Sequence, residues 1–350
     1  MQKTILTIAA LALPLFCQTA EVKTAGQAYK NVTELKDIPA DQLVPAMQFI
    51  STALGVQCAT CHVAGKPELD DKRPKKTARE MIAMQMAINK NSFRGQTQVT
   101  CYSCHRGSER PVGIPPVLDS DAAPPKPEAR PADGAAPPSS ESIIDKYVTA
   151  LGGADAMKKI TSRVEKGSII VMGKETPIDV YTKAPNKRVT VTHNDGSESM
   201  TAFDGTIGWM GSSSGPAREM NPLDAKGAAL DAEFYLGLHM KEIFAQLRAG
   251  RVSEKIGDAE VVPVTGTRPN LPPVRFFFDA KSGLLLRMVR YTENPLGRMP
   301  VQVDYADYRD VDGVKIPFRW TLSRPNGRFT IQISDVKQNV PIDDSKFAKP

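Results

Sequence analysis

Residues 58–62 read Cys58-Ala59-Thr60-Cys61-His62, and residues 101–105 repeat the pattern as Cys101-Tyr102-Ser103-Cys104-His105. Two thiols at this spacing can each form a thioether with one vinyl group of a single haem. The adjacent histidine is then held beneath the ring, where its imidazole can ligate iron. Two complete copies imply two covalently attached haem c groups, with His62 and His105 as proximal iron ligands. Other chemistries fit less of the pattern. A thioredoxin-like redox pair belongs in a βαβ setting, which is absent around these residues. Four sulfurs on one zinc or one iron–sulfur cluster would leave two histidines in matching positions without a purpose.

Helical patterns flank both motifs. Asp41 reads as the N-cap of a helix running to about Leu54 and stopped by Gly55, with Pro45 in its first turn. A second helix is expected over Thr77–Asn89, followed by a polar loop before Cys101. Met47 lies on the first helix. Met81, Met84 and Met86 lie on the second, where the first two can share a face. From pattern alone, Met47 and Met81 are each equally a sixth iron ligand or an inward-facing core residue, and Met86 points elsewhere. His193 and His239 fall in a strand-rich region, where a structural or surface role is the simpler reading.

The stretches LVPAMQFISTALGVQCATCH, AREMIAMQMAIN and VTCYSCHRG resemble the multihaem cytochrome subunit of photosynthetic reaction centres over residues from about 31 to 110. In that family a haem unit is a helix bearing an axial methionine, then a turn and the attachment motif. The resemblance therefore implies Met47 as the partner of His62 and Met81 as the partner of His105. The family subunit typically carries four haems, whereas this chain has two attachment motifs.

Outward from this region the composition changes twice. At the N-terminus, Lys3 followed by the apolar run Ile5–Phe16 reads as an export signal over residues 1–20, which places the protein in the periplasm. Cys17 offers an alternative, a lipidated first residue of the mature chain. Residues 112–140 are rich in proline and alanine and read as a semi-extended linker. From about residue 141 strand signals dominate. A helix near Glu141–Ala150 and helical character over 223–248 accompany alternating stretches from Ser168–Met172 to Thr330–Val336, with turns at Asp195-Gly196 and Asp204-Gly205. Trp209 and Trp320 are expected in the core. The stretches ALGGADAMKKI, AFDGTIGWM and YRDVDGVKIPFRW are similar to outer-membrane lipoprotein-sorting proteins, which implies a half-open sheet around an apolar cavity.

The expected architecture is thus multidomain. A small all-α diheme cytochrome c domain (27–111) precedes an α+β domain (141–350) with a curved, half-barrel-like antiparallel sheet. The expected function is electron transfer with redox partner proteins. The alternative is an apolar-ligand or lipoprotein carrier or binding protein with a redox-sensing haem domain, its C-terminal domain taking an apolar ligand or a membrane-associated partner. Net charge +6 on 350 residues, without basic stretches interleaved with aromatics, gives no nucleic-acid signature. No nucleophile arrangement or metal-spacing motif points to an enzyme.

Overall fold

The computed structural model describes residues 23–111, 138–250, 254–325 and 327–350. The export signal, Cys17 and all but the last residues of the Pro/Ala-rich segment lie outside these described residues. Among them, no helix is long and apolar enough to cross a membrane.

The first described stretch is helical: α1 (Ala25–Ala28), α2 (Leu43–Leu54), α3 (Cys58–Cys61), α4 (Arg73–Ser92) and α5 (Cys101–His105). Helix α2 begins differently from the sequence expectation. A 3₁₀ turn over Ala40–Gln42 leads into it, so Asp41 sits inside that turn and does not cap the α-helix. Its end is as expected. Gly55 adopts φ +68°, and its N–H donates to the Thr52 carbonyl. An added Cβ there would lie 2.2 Å from the Gly107 carbonyl oxygen, so the chain after the second motif packs where only glycine fits. Gly55→Ala should cost about 1–3 kcal/mol, read by chemical denaturation. Helix α4 is longer than the Thr77–Asn89 expectation because Pro74 occupies its first turn, where no backbone donor is lost.

Helices α6 (Ser140–Ala150) and α7 (Ala154–Lys158) open the second region. A meander follows: β1 (Ser162–Val171), β2 (Lys174–Lys183), β3 (Lys187–Asn194), β4 (Ser197–Phe203), β5 (Gly208–Ser212) and β6 (Gly215–Glu219). Helices α8 (Pro222–Ala232) and α9 (Leu236–Ile243) and the short strands β7 (Gln246–Ala249) and β8 (Glu254–Ile256) interrupt it. The second meander is β9 (Ala259–Arg268), β10 (Leu271–Asp279), β11 (Leu285–Asn294), β12 (Gly297–Val311), β13 (Val314–Arg324) and β14 (Gly327–Gln338). All pairings are antiparallel, and β1 joins β14 to fuse the two meanders into one sheet ordered β6-β5-β4-β3-β2-β1-β14-β13-β12-β11-β10-β9-β7. The terminal strands β6 and β7 do not pair with each other, so the sheet is open.

One sheet face is covered by α6–α9. Ile144, Tyr147, Met240, Phe244, Phe276 and Phe278 fill the space between, all buried. The C-terminal tail covers part of the opposite face, where Phe347 packs with Val189, Val191, Ala202 and Trp209. Trp209 is buried as expected, its Nε1–H donating to the Phe347 carbonyl at 2.8 Å. Trp320 is half-buried and packs against the margin of the main core, with the Arg188 guanidinium over its ring.

The helical region has its own core, built from Leu35, Leu43, Ala46, Phe49, Ile50, Ala53 and Ile82. Two sheet residues complete it, Leu296 and Met299. They belong to the tight β11–β12 hairpin, in which Asn294 pairs with Gly297. Leu296 is 0% exposed. A Cβ on Gly297 would lie 2.6 Å from the Phe49 ring and 3.1 Å from Thr100, so the hairpin tip reaches both α2 and the residue preceding α5.

Candidate haem sites

Each Cys-x-x-Cys stretch is a single helical turn. Residues three apart in such a turn share a side, which is what two attachments to one planar group require. None of the four thiols is in a disulfide. Burial pushes the Cys61 thiol up, with Glu109 adding to the effect, and burial likewise raises Cys101. A redox-active pair needs a stabilised thiolate, so these environments speak against a thioredoxin-like role. Among the described residues, no three or more His, Cys, Asp or Glu side chains converge as a metal-binding group, so the two motifs do not share a four-sulfur site.

The first motif opens onto a cavity of about 590 Å³ lined by Met47 and Ile50 of α2, Ile82 of α4, and Cys58, Cys61 and His62. Tyr29 and Val44 also line it, and they remain 44% and 52% exposed. Apolar side chains left open around a pocket of this size fit a large apolar group. The His62 backbone N–H donates to the Cys58 carbonyl at 3.0 Å, fixing the histidine at the end of α3. Its ring Nδ1 lies 3.0 Å from the Pro67 carbonyl oxygen. A carbonyl can only accept, so Nδ1 carries the hydrogen and Nε2 keeps the lone pair a metal needs. The residues of this motif therefore fit a covalently held haem with Met47 and His62 available to its iron.

The second motif repeats the histidine arrangement, with His105 Nδ1 3.0 Å from the Ser108 carbonyl oxygen. Its approach is clamped by α4. Gln85 and Asn89 side-chain amides both donate to the Val99 carbonyl at 2.7 Å, and the Asn89 side-chain oxygen accepts from the Gln98 and Val99 N–H groups. Its exit is tied to α2, where Gly107 N–H donates to the Ala53 carbonyl at 2.9 Å. Ile82, Gln85 and Asn89 form the buried face of α4. Met81 and Met84 occupy a neighbouring face, 39% and 47% exposed, and neither they nor Met86 line the first cavity. The structure thus gathers Met47 with Cys58, Cys61 and His62, and leaves Met81 on the open flank of α4.

His193 and His239 are held elsewhere by carboxylates. His193 Nδ1 lies 2.9 Å from Glu198 and its Nε2 3.3 Å from Asp179, while His239 Nδ1 lies 2.8 Å from Glu233. Sequence reasoning missed the carbonyls of Pro67 and Ser108, the apolar walls Tyr29 and Val44, and Lys75 beneath the first motif. Only the last left a trace. Arg73, Lys75 and Lys76 sit in the first turn of α4 with no acid among them, against the helix dipole.

Residues 6–137 match the family described as the photosynthetic reaction centre cytochrome C subunit. The photosynthetic reaction center cytochrome c subunit of Thermochromatium tepidum is 34% identical over 91 residues, covering 25% of this chain and 22% of that protein. Its counterpart from Roseobacter denitrificans is 34% identical over 114 residues, covering 28% of this chain and 30% of that protein. The chain therefore spans less than a third of the length of either relative. Among solved structures, a DUF1329 family protein from Desulfovibrio piger aligns with TM-score 0.43 and 13% identity, covering 59% of this chain and 96% of that one. A putative outer membrane lipoprotein-sorting protein domain from Vibrio parahaemolyticus aligns with TM-score 0.42 and 12% identity, covering 59% of this chain and 95% of that one. The family match implies covalent haem c attachment, and the N-terminal part of this chain is similar in sequence to the reaction-centre cytochrome c subunit.

Proposed function

We propose that the chain is a periplasmic diheme c-type cytochrome that carries electrons between redox partner proteins. The observation that carries this reading is the cavity shared by Met47, Cys58, Cys61 and His62, with the His62 ring set to present Nε2. When bound, haem supplies a one-electron couple at its iron. The chain's residues do the rest. Cys58 and Cys61 anchor one group, and Cys101 and Cys104 the other. The Pro67 and Ser108 carbonyls orient His62 and His105. Met47 and Met81 would supply the sixth ligands, and Tyr29, Val44 and Ile50 would limit water around the first site. Two irons each held by a histidine and a methionine would leave no open site for a substrate, which favours carriage over catalysis.

The methionine assignments are tested by substitution. Met47→His and Met81→His should each lower the potential of a different haem, by on the order of 0.2 V within the roughly 0.8 V range that axial ligands command. Each should also remove part of the weak near-infrared absorption of oxidised methionine-ligated haem. Met84→Leu should leave both haems six-coordinate. If Met84→Leu removes the band and Met81→Leu does not, Met84 is the second site's ligand.

A second reading is favoured by one observation, the insertion of the sheet hairpin into the helical core through Leu296 and Met299. In it the sheet region binds a partner protein or an apolar ligand, and the haem region adjusts that binding to redox state through α2. Partner affinity measured under reducing and oxidising conditions separates the two readings. Equal affinities support simple carriage.

A further inference from the structure

Lys75 is 8% exposed, an unusual position for an ammonium group in the first turn of a helix. Its Nζ donates to the carbonyls of Pro67, Glu68 and Leu69, each at 2.9 Å, and lies 3.0 Å from Asp70 Oδ1. With its donors engaged in this way, Lys75 acts on the loop beneath His62 and is not free to pair with a bound group in the cavity it borders. Asp70 also accepts from Arg79 at 2.8 Å, and the Arg79 guanidinium, then Lys75 and Asn31, hold its carboxyl well below the usual carboxylate range. The cluster is therefore two cations around one carboxylate.

The Pro67 carbonyl is shared. It accepts from Lys75 and also from His62 Nδ1, at 3.0 Å. A strong hydrogen bond at Nδ1 makes a ligating imidazole a better electron donor, and a cation on the same acceptor weakens that bond. At the second motif His105 Nδ1 bonds the Ser108 carbonyl, and among the described residues no lysine bonds that oxygen.

We propose that Lys75 is a positioning and potential-setting residue of the first haem site, making that haem more easily reduced by drawing on the carbonyl that orients His62. This rests on reading residues 58–62 as a haem-attachment site. Its charge acts in the same direction as its hydrogen bond, because a fixed positive charge disfavours the oxidised, more positive iron. No added reactant is involved, since only the equilibrium of the one-electron couple moves.

The test is a spectroelectrochemical titration of the full, haem-loaded chain. The first haem's transition is identified as the one missing from Cys58→Ser/Cys61→Ser. Lys75→Gln should lower that transition alone by about a tenfold change in electron affinity, ~59 mV for a one-electron couple. Lys75→Arg should restore most of it, and Asp70→Asn should move the same transition upward. Opposite signs for Lys75→Gln and Asp70→Asn are beyond a purely structural role, which would loosen the loop in both. The proposal is overturned if Lys75→Gln leaves the first transition in place, or if Asp70→Asn moves it downward or not at all. Should Lys75→Gln fail to retain its first haem, the direction of the Asp70→Asn shift decides. A wild-type chain without covalent haem at residues 58–61 would instead sink the site reading itself.

Discussion

Replacing Cys58 and Cys61 together with serine is expected to leave a chain carrying one covalent haem, and the same change at Cys101 and Cys104 should remove the other. The two losses should be unequal in their structural consequences. The first leaves a cavity of about 590 Å³ between α2, α3 and α4, with Tyr29 and Val44 facing water. A four-residue helix such as α3 cannot hold itself together without tertiary support. Loss of the first haem should therefore destabilise the helical region by several kcal/mol, large against the about 5–15 kcal/mol of a whole domain. At the second motif the Asn89 and Gln85 clamps and the Gly107–Ala53 hydrogen bond remain, so less helicity should be lost. Circular dichroism during denaturation checks the ordering, and equal losses would contradict it.

Leu296 carries the second large effect. It is fully buried in a core whose other members, Met299 apart, lie more than two hundred residues earlier in the chain. Leu296→Ala should cost about 2–5 kcal/mol, with Leu296→Asp worse because the carboxylate has no partner there. A specific protease site placed in the Pro/Ala-rich segment gives a sharper readout. After cleavage the haem-bearing and haem-free pieces should co-elute in gel filtration, and Leu296→Asp should let them separate. Pieces that part without the substitution would show that the hairpin does not bind the helical region in solution.

What was legible in the sequence follows the range of each interaction. The Cys-x-x-Cys-His motifs are local by chemical necessity, and their helical turns need no distant contact. Gly55 announced the end of α2 because a left-handed cap demands glycine. The long strands β2, β3 and β10–β14 were readable from alternation, since one face of each is covered. Strands β5 and β6 were not, being five residues each and broken by Gly208, Gly211 and Gly215. The helical character of 223–248 gives no sign that its last residues pair with β9 as β7. The hairpin contact was hidden for another reason. Asn294-Pro295-Leu296-Gly297 has the composition of a turn, and nothing nearby in sequence shows that Leu296 enters a remote core. Lys75 is similar, because its three carbonyl partners are backbone atoms that no side-chain pattern encodes.

The central claim is that both motifs hold haem covalently, and intact-mass measurement of the chain matured in its native export pathway tests it most directly. Under denaturing conditions the mass should exceed that of the polypeptide by two haem groups. It should fall by one in Cys58→Ser/Cys61→Ser and by one in Cys101→Ser/Cys104→Ser. A native chain whose denatured mass shows no retained haem contradicts the account outright.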